Sequence, residues 1–181
     1  MRGENEDVQR WSNAELRSRL DFGDTQLLAE CQVHRYRASG PGGQHRNKVS
    51  SAIRLHHKPS GLVTLATESR LQRENKTRAL KRLREAIALV ARVPLPPKVV
   101  WPESINVVEG RLRVSEKNPA IHHVMALVLD AFAESSGRLA AAARRLGLTS
   151  SSLARFLKAH PKAWREVARM RSEAGLPPLR A

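Results

Sequence analysis

Ser51-Ala-Ile-Arg-Leu-His-His57, Lys58-Pro-Ser-Gly61 and Leu62-Val-Thr-Leu-Ala-Thr67 follow one another directly in the chain. In the first stretch Ile53 and Leu55 fall on one face and Ala52, Arg54 and His56 on the other, which is the two-residue period of a β-strand. Lys58-Pro-Ser-Gly61 reads as a turn, with proline presetting the opening φ and glycine closing it. The third stretch is a second strand, so the three together predict an antiparallel hairpin.

The flanks add to this hairpin. Gln32-Val-His-Arg-Tyr-Arg37 alternates as well, with Val33 and Arg35 opposite His34 and Tyr36. Between it and the hairpin lies Ser39-Gly-Pro-Gly-Gly-Gln44, a composition that predicts a loop. Residues 12–29 predict a short helix, opened by Ser12 with Glu15 three residues on, the spacing of a capping box. From Ser69 to about Arg92 the period becomes helical, with Leu80, Leu83, Ile87 and Val90 in one stripe. Arg70, Arg73, Lys76, Arg78, Lys81, Arg82 and Arg84 occupy the rest of that helix, and Pro94, Pro96 and Pro97 end it. Residues 105–114 predict a small hairpin about Glu109-Gly110, and Asn118-Pro119 a helix start with Asn as cap.

Taken with its setting, Ser39-Gly40-Pro41-Gly42-Gly43-Gln44-His45-Arg46-Asn47-Lys48 between two strands, followed by a hairpin and a basic helix, resembles the catalytic domain of class I peptide chain release factors and of the smaller codon-independent ribosome-rescue hydrolases. Tyr36-Arg37-Ala38-Ser39, Ser51-Ala52-Ile53-Arg54, Pro59-x-Gly61, Asn75-Lys76 and Ala79-Leu80 carry the same likeness, which covers roughly residues 30–92. Two positions depart from the family pattern: Pro41 stands where alanine is common and Arg46 where valine is common.

The resemblance implies hydrolysis of the ester joining a peptide to the tRNA 3′ end, with Gly42, Gly43 and Gln44 as the catalytic residues. The glycines would let the backbone come close and adopt positive φ. The Gln44 N–H would stabilise the developing oxyanion or the leaving 3′-oxygen, and its side chain would position water and exclude larger nucleophiles. No side-chain base is needed, because ribosomal RNA and the tRNA hydroxyl would supply the other polar groups. The implied partners are the ribosome and peptidyl-tRNA, with a glutamine methyltransferase acting on Gln44. Arg37, Ser39, His45, Arg46, Asn47 and Lys48 about the loop, and Arg70, Arg73, Lys76, Arg78, Lys81 and Arg82 on the helix, are candidate RNA contacts. Decoding release factors carry a stop-codon tripeptide, Pro-Ala/Val-Thr or Ser-Pro-Phe; the sequence contains neither, and only some thirty residues precede the catalytic region, so codon-independent action is expected.

Ala142-Ala143-Arg144-Arg145-Leu146-Gly147-Leu148-Thr149-Ser150-Ser151-Ser152-Leu153 resembles a helix-turn-helix of the bacterial nucleoid-regulator type. Leu146, Leu148 and Leu153 would pack the two helices, Gly147 would make the turn and Thr149 would cap the second helix. A further helix after Pro161 would carry Trp164, Val167 and Ala168 on one face. Ser150, Ser151 and Ser152 would face a groove, where sequence readers usually place Arg, Asn or Gln. Arg144, Arg145, Arg155 and Lys158 suit phosphate contact instead. Three readings stay open for this region: RNA binding on the ribosome, specific DNA binding, and packed helices with incidental charge. A non-catalytic nucleic-acid-binding protein working through the helix-turn-helix is the rival for the whole chain.

Charge agrees with a polyanionic partner. The 181 residues carry a net charge of +15, with a pI near 11.3. Residues 32–92 contribute +11 and 136–181 contribute +8, whereas 1–31 and 93–135 carry −3 and −1. Two basic blocks are thus separated by a near-neutral stretch; solvated helical surfaces would be the bland explanation, but such surfaces usually mix signs. The one cysteine, Cys31, excludes a disulfide framework and a cysteine-based zinc site. Neither His56-His57 nor His122-His123 has the spacing of a metal pair, so no metal and no cofactor are expected. No apolar run approaches a membrane span, and Met1-Arg-Gly-Glu-Asn-Glu-Asp7 precedes no apolar segment, so a cytoplasmic protein, monomeric in solution, is expected. The expected architecture is α+β: an N-terminal helical segment (1–29), a small sheet with the Gly-Gly-Gln loop and a packed basic helix (30–92), a Pro-containing linker and hairpin (93–117), and an all-α helix-turn-helix-like domain (118–181).

Overall fold

The computed structural model describes residues 11–37 and 50–179. Its architecture is α+β, and contacts divide it into two compact units that meet in sequence between Ile87 and Ala88.

In the first unit α1 (Asn13–Ser18) begins with the expected capping box: the Ser12 hydroxyl accepts from the Glu15 N–H, and the Glu15 carboxylate accepts from the Ser12 N–H. The single helix expected over 12–29 is interrupted. A short 3₁₀ turn (Arg19–Asp21) follows α1, Phe22 is extended, and α2 (Asp24–Ala29) starts anew after Gly23. The Arg19 guanidinium accounts for the break, since it stacks 3.6 Å over the Trp11 ring and donates to Glu30, beyond the end of α2.

Strands β1 (Cys31–Tyr36), β2 (Ala52–His57) and β3 (Val63–Ala66) form one antiparallel sheet with β2 central. The register pairs Tyr36 with Ala52, Ile53 with Ala66 and Leu55 with Thr64. Ile53, Leu55, Thr64 and Ala66 therefore share the buried face, while Arg54 and Leu65 look outward. Gly61 closes the β2–β3 turn at φ 68°, and the His57 N–H donates to the Leu62 carbonyl. Helix α3 (Gln72–Val90) buries Ala79, Leu80, Leu83, Ile87 and Ala88, and the Thr64 hydroxyl donates to the Ala79 carbonyl, fastening β3 to it. Val90, expected in the apolar stripe, is 49% exposed; the buried face passes instead through Ala88 to Ala91.

In the second unit, β4 (Asn106–Val108) and β5 (Arg111–Arg113) make the expected small hairpin, with Glu109 and Gly110 at φ 51° and 70°. Four helices follow: α4 (Ile121–Glu134), α5 (Leu139–Arg145), α6 (Ser150–Ala159) and α7 (Pro161–Glu173). Helix α4 starts two residues later than its sequence signal, because the Asn118 side chain accepts from the Ala120 N–H and holds the approach as a turn. The prolines expected to form a linker are built into this unit. Asp130 and Glu134 of α4 accept from the N–H groups of Val93 and Leu95, and Arg145 donates to the carbonyls of Leu95, Pro96 and Pro97. In α7 the buried residues are Ala163, Val167 and Arg171, with Ala168 exposed, because the Arg171 guanidinium turns inward onto the Gly137 and Pro177 carbonyls.

Candidate functional site

The pairing of Tyr36 with Ala52 sets the frame of the candidate site. The chain leaves β1 at Arg37 and re-enters at Ser50–Ser51, so the two ends of the intervening segment stand side by side at one end of the sheet. Gly42, Gly43 and Gln44, with Ser39, His45, Arg46, Asn47 and Lys48, lie outside the described residues; Arg37 is exposed where the segment begins.

The returning end is fastened by the first turns of α3. Asn75 is fully buried; its Oδ1 accepts from the Ser69 N–H at 2.9 Å, and its Nδ2 donates to the Ser51 and Ser69 carbonyls, each at 2.8 Å. Gln72 Nε2 donates to the Ser50 carbonyl at 3.2 Å. A buried amide with these bonds fixes backbone positions that leaving either atom unpaired would make costly.

The basic helix beside this clamp is uneven. Arg70 and Arg73 are exposed, as are Arg78 and Lys81, with Lys76 and Arg82 half-buried. Arg78 pairs with Glu68 and Glu74, and Arg82 donates to Glu68 and to the Leu65 carbonyl. The Arg82 hydrogen bond lowers the Glu68 carboxyl below its usual range. Arg84 is taken by Asp24 and the Phe22 carbonyl, both at 2.8 Å. Arg70 and Arg73 thus offer the most open cationic surface near the clamp.

At the other end of the sheet, His57 is fully buried, with Nε2 2.9 Å from Glu30 and Nδ1 2.6 Å from the Ser60 hydroxyl. Burial by itself raises the Glu30 carboxyl, but the hydrogen bonds from Arg19 and His57 outweigh it and leave the group below its usual value. Serine, histidine and carboxylate here resemble a hydrolytic triad in composition only. Ser60 lies in the β2–β3 turn, its hydroxyl also accepts the Leu62 N–H, and β2 separates the set from the loop ends by about 17 Å. Sequence reading weighed His56-His57 only as a metal pair and missed this network, whose partner Glu30 is 27 residues away. Cys31 donates to the Leu27 carbonyl, and burial, aided by Glu30, pushes its thiol up to about 11. Among the described residues no group of three or more His, Cys, Asp or Glu side chains is placed to hold a metal ion.

In the second unit α5, a turn with Gly147 at φ 66° and α6 follow one another, with Leu146, Leu148 and Leu153 buried and the Thr149 hydroxyl accepting from the Ser152 N–H. Arg144, Arg155 and Lys158 are exposed. Arg145 is engaged by Glu134 and the proline-segment carbonyls. Ser152, expected to face a groove, is buried because its hydroxyl accepts from the Leu112 N–H of β5. Arg111 and Arg113 were not among the expected contacts, although their spacing of two on a strand already placed them on one face.

The three-stranded antiparallel sheet and the long basic helix lie within residues 27–94, which match the family model described as the RF-1 domain. Among individual relatives, peptide chain release factor 1 of Acetivibrio thermocellus is 48% identical over 63 residues, covering 35% of this chain and 18% of that protein. Peptide chain release factor 2 of Haemophilus influenzae is 48% identical over 56 residues, 31% of this chain and 15% of that protein. Peptide chain release factor 1 of Leptothrix cholodnii is 54% identical over 52 residues, 29% and 14% of the two chains. The chain thus spans less than a fifth of the length of these relatives. Among the described residues no helix is long and apolar enough to cross a membrane.

Proposed function

We propose that this chain hydrolyses the ester of peptidyl-tRNA on the ribosome, as a codon-independent release or rescue factor of the cytoplasm. One observation carries the reading: Gly42-Gly43-Gln44 lies in the segment strung between the paired ends of β1 and β2, inside a release-factor-type domain. A segment whose flanking residues are held by strand pairing and by Asn75 can be driven into a narrow RNA cavity while the sheet stays outside. Gly43 supplies close backbone approach, the Gln44 N–H stabilises the oxyanion or leaving oxygen, and the Gln44 side chain orients the attacking water. Arg70, Arg73 and Lys76 take ribosomal RNA phosphates beside the loop, and Arg144, Arg155 and Lys158 add contacts from the second unit. Gln44 is also the residue a glutamine methyltransferase would modify.

The test is Gly43→Ala. Peptide release from stalled ribosomes is expected to fall on the order of a hundredfold or more while co-sedimentation with ribosomes persists. Release at the wild-type rate would remove the loop from the chemistry.

A further inference from the structure

We infer that the groove between the β4–β5 hairpin and the start of α6 grips the phosphodiester backbone of a nucleic-acid duplex. The groove encloses about 320 Å³ and is lined by Arg111, Leu112, Arg113, Thr149, Ser151, Ser152 and Arg155. Arg111 and Arg113 are exposed and share one face of β5, about 6.8 Å apart along the strand, a spacing that lets two guanidiniums take neighbouring phosphates. Arg155, also exposed, faces them from α6. Besides the buried Ser152, Thr149 and Ser151 also line it, and both are exposed. No carboxylate lines this groove; Glu109, in the hairpin turn, lines the adjoining hollow with Arg111 and Arg113.

The groove is built rather than incidental. The Thr149 N–H donates to the Gly110 carbonyl at 2.9 Å, and the Leu112 N–H donates to the Ser152 hydroxyl at 2.9 Å, so turn and strand are each bonded to the helix start. A Cβ on Gly110 would stand 3.2 Å from Thr149, so the close approach depends on glycine. This docking also decides what kind of contact is made. Helix-turn-helix readers insert the first residues of the second helix into a major groove. Here the hairpin lies against those residues and brings arginines, so the duplex meets cations beside the helix instead of a helix inside it. Such contacts position without reading sequence. The inference concerns the second unit alone and does not depend on the hydrolase reading.

The experiment measures binding of the full chain to a short RNA duplex and to a DNA duplex of the same sequence, across a salt series. Arg111→Ala with Arg113→Ala is expected to weaken binding on the order of tenfold at moderate salt and to lower the salt slope by about 2. The control Lys98→Ala with Arg138→Ala removes two exposed charges elsewhere in the unit and is expected to change binding much less. Arg111→Lys with Arg113→Lys keeps the charge and is expected to retain most of the binding, which separates charge loss from misfolding. Unequal RNA and DNA affinities would name the preferred duplex and leave the grip in place. Equal losses for groove and control variants would overturn the inference, as would wild-type affinity confined to one DNA sequence.

Discussion

Asn75 carries no charge and is fully buried, yet it fixes where the chain returns from the Gly-Gly-Gln segment. Asn75→Ala would leave the Ser51 carbonyl and the Ser69 N–H and carbonyl without that partner, at a cost of about 1–3 kcal/mol. Thermal unfolding of the variant should show that loss, and Asn75→Asp should restore only the bond to the Ser69 N–H. Glu30 makes a second prediction. Its folded-state pKa lies below the unfolded value, so the ionised carboxylate stabilises the fold above about pH 4.3 and that contribution is lost as pH falls through the folded value. Wild-type melting temperature should drop below that pH, and Glu30→Gln should be less stable near neutrality with a shallower acid limb. Parallel acid limbs would remove Glu30 from the account.

At the scale of elements, the cations of α3 separate into two kinds. Arg73→Gln with Arg70→Gln and Lys76→Gln should leave stability nearly unchanged and lower the salt slope of ribosome binding by about 3. Arg82→Gln should instead lower stability, by at most about 1 kcal/mol because the pair with Glu68 is part-exposed, since it gives up Glu68 and the Leu65 carbonyl. The three strands and their turn were legible because alternation and Lys58-Pro-Ser-Gly61 are local signals, and the helix-turn-helix was legible from Leu146, Gly147 and Thr149 for the same reason. What was not legible depends on distant partners. The break after α1 follows from Arg19 reaching Glu30, the burial of Ser152 from the Leu112 N–H, and the fixed position of Pro94–Pro97 from Asp130, Glu134 and Arg145. The Gly-Gly-Gln residues of the candidate site were legible as sequence and lie outside the described structure, whereas the groove arginines Arg111 and Arg113 acquired meaning only when β5 was seen bonded to α6.

For the whole molecule, the net charge of +15 resides in both units. The proposed function assigns binding and chemistry to different parts: phosphate contacts from both units would bring the chain to RNA, and the Gly-Gly-Gln segment would carry the ester cleavage. The central claim is hydrolysis without decoding. The measurement that tests it most directly is the rate of peptide release by the full chain from ribosomes holding peptidyl-tRNA, compared between an empty A site, a sense codon and a stop codon. The account predicts release that does not require a stop codon. Release confined to ribosomes with a stop codon in the A site, or no release from any of the three, would contradict it.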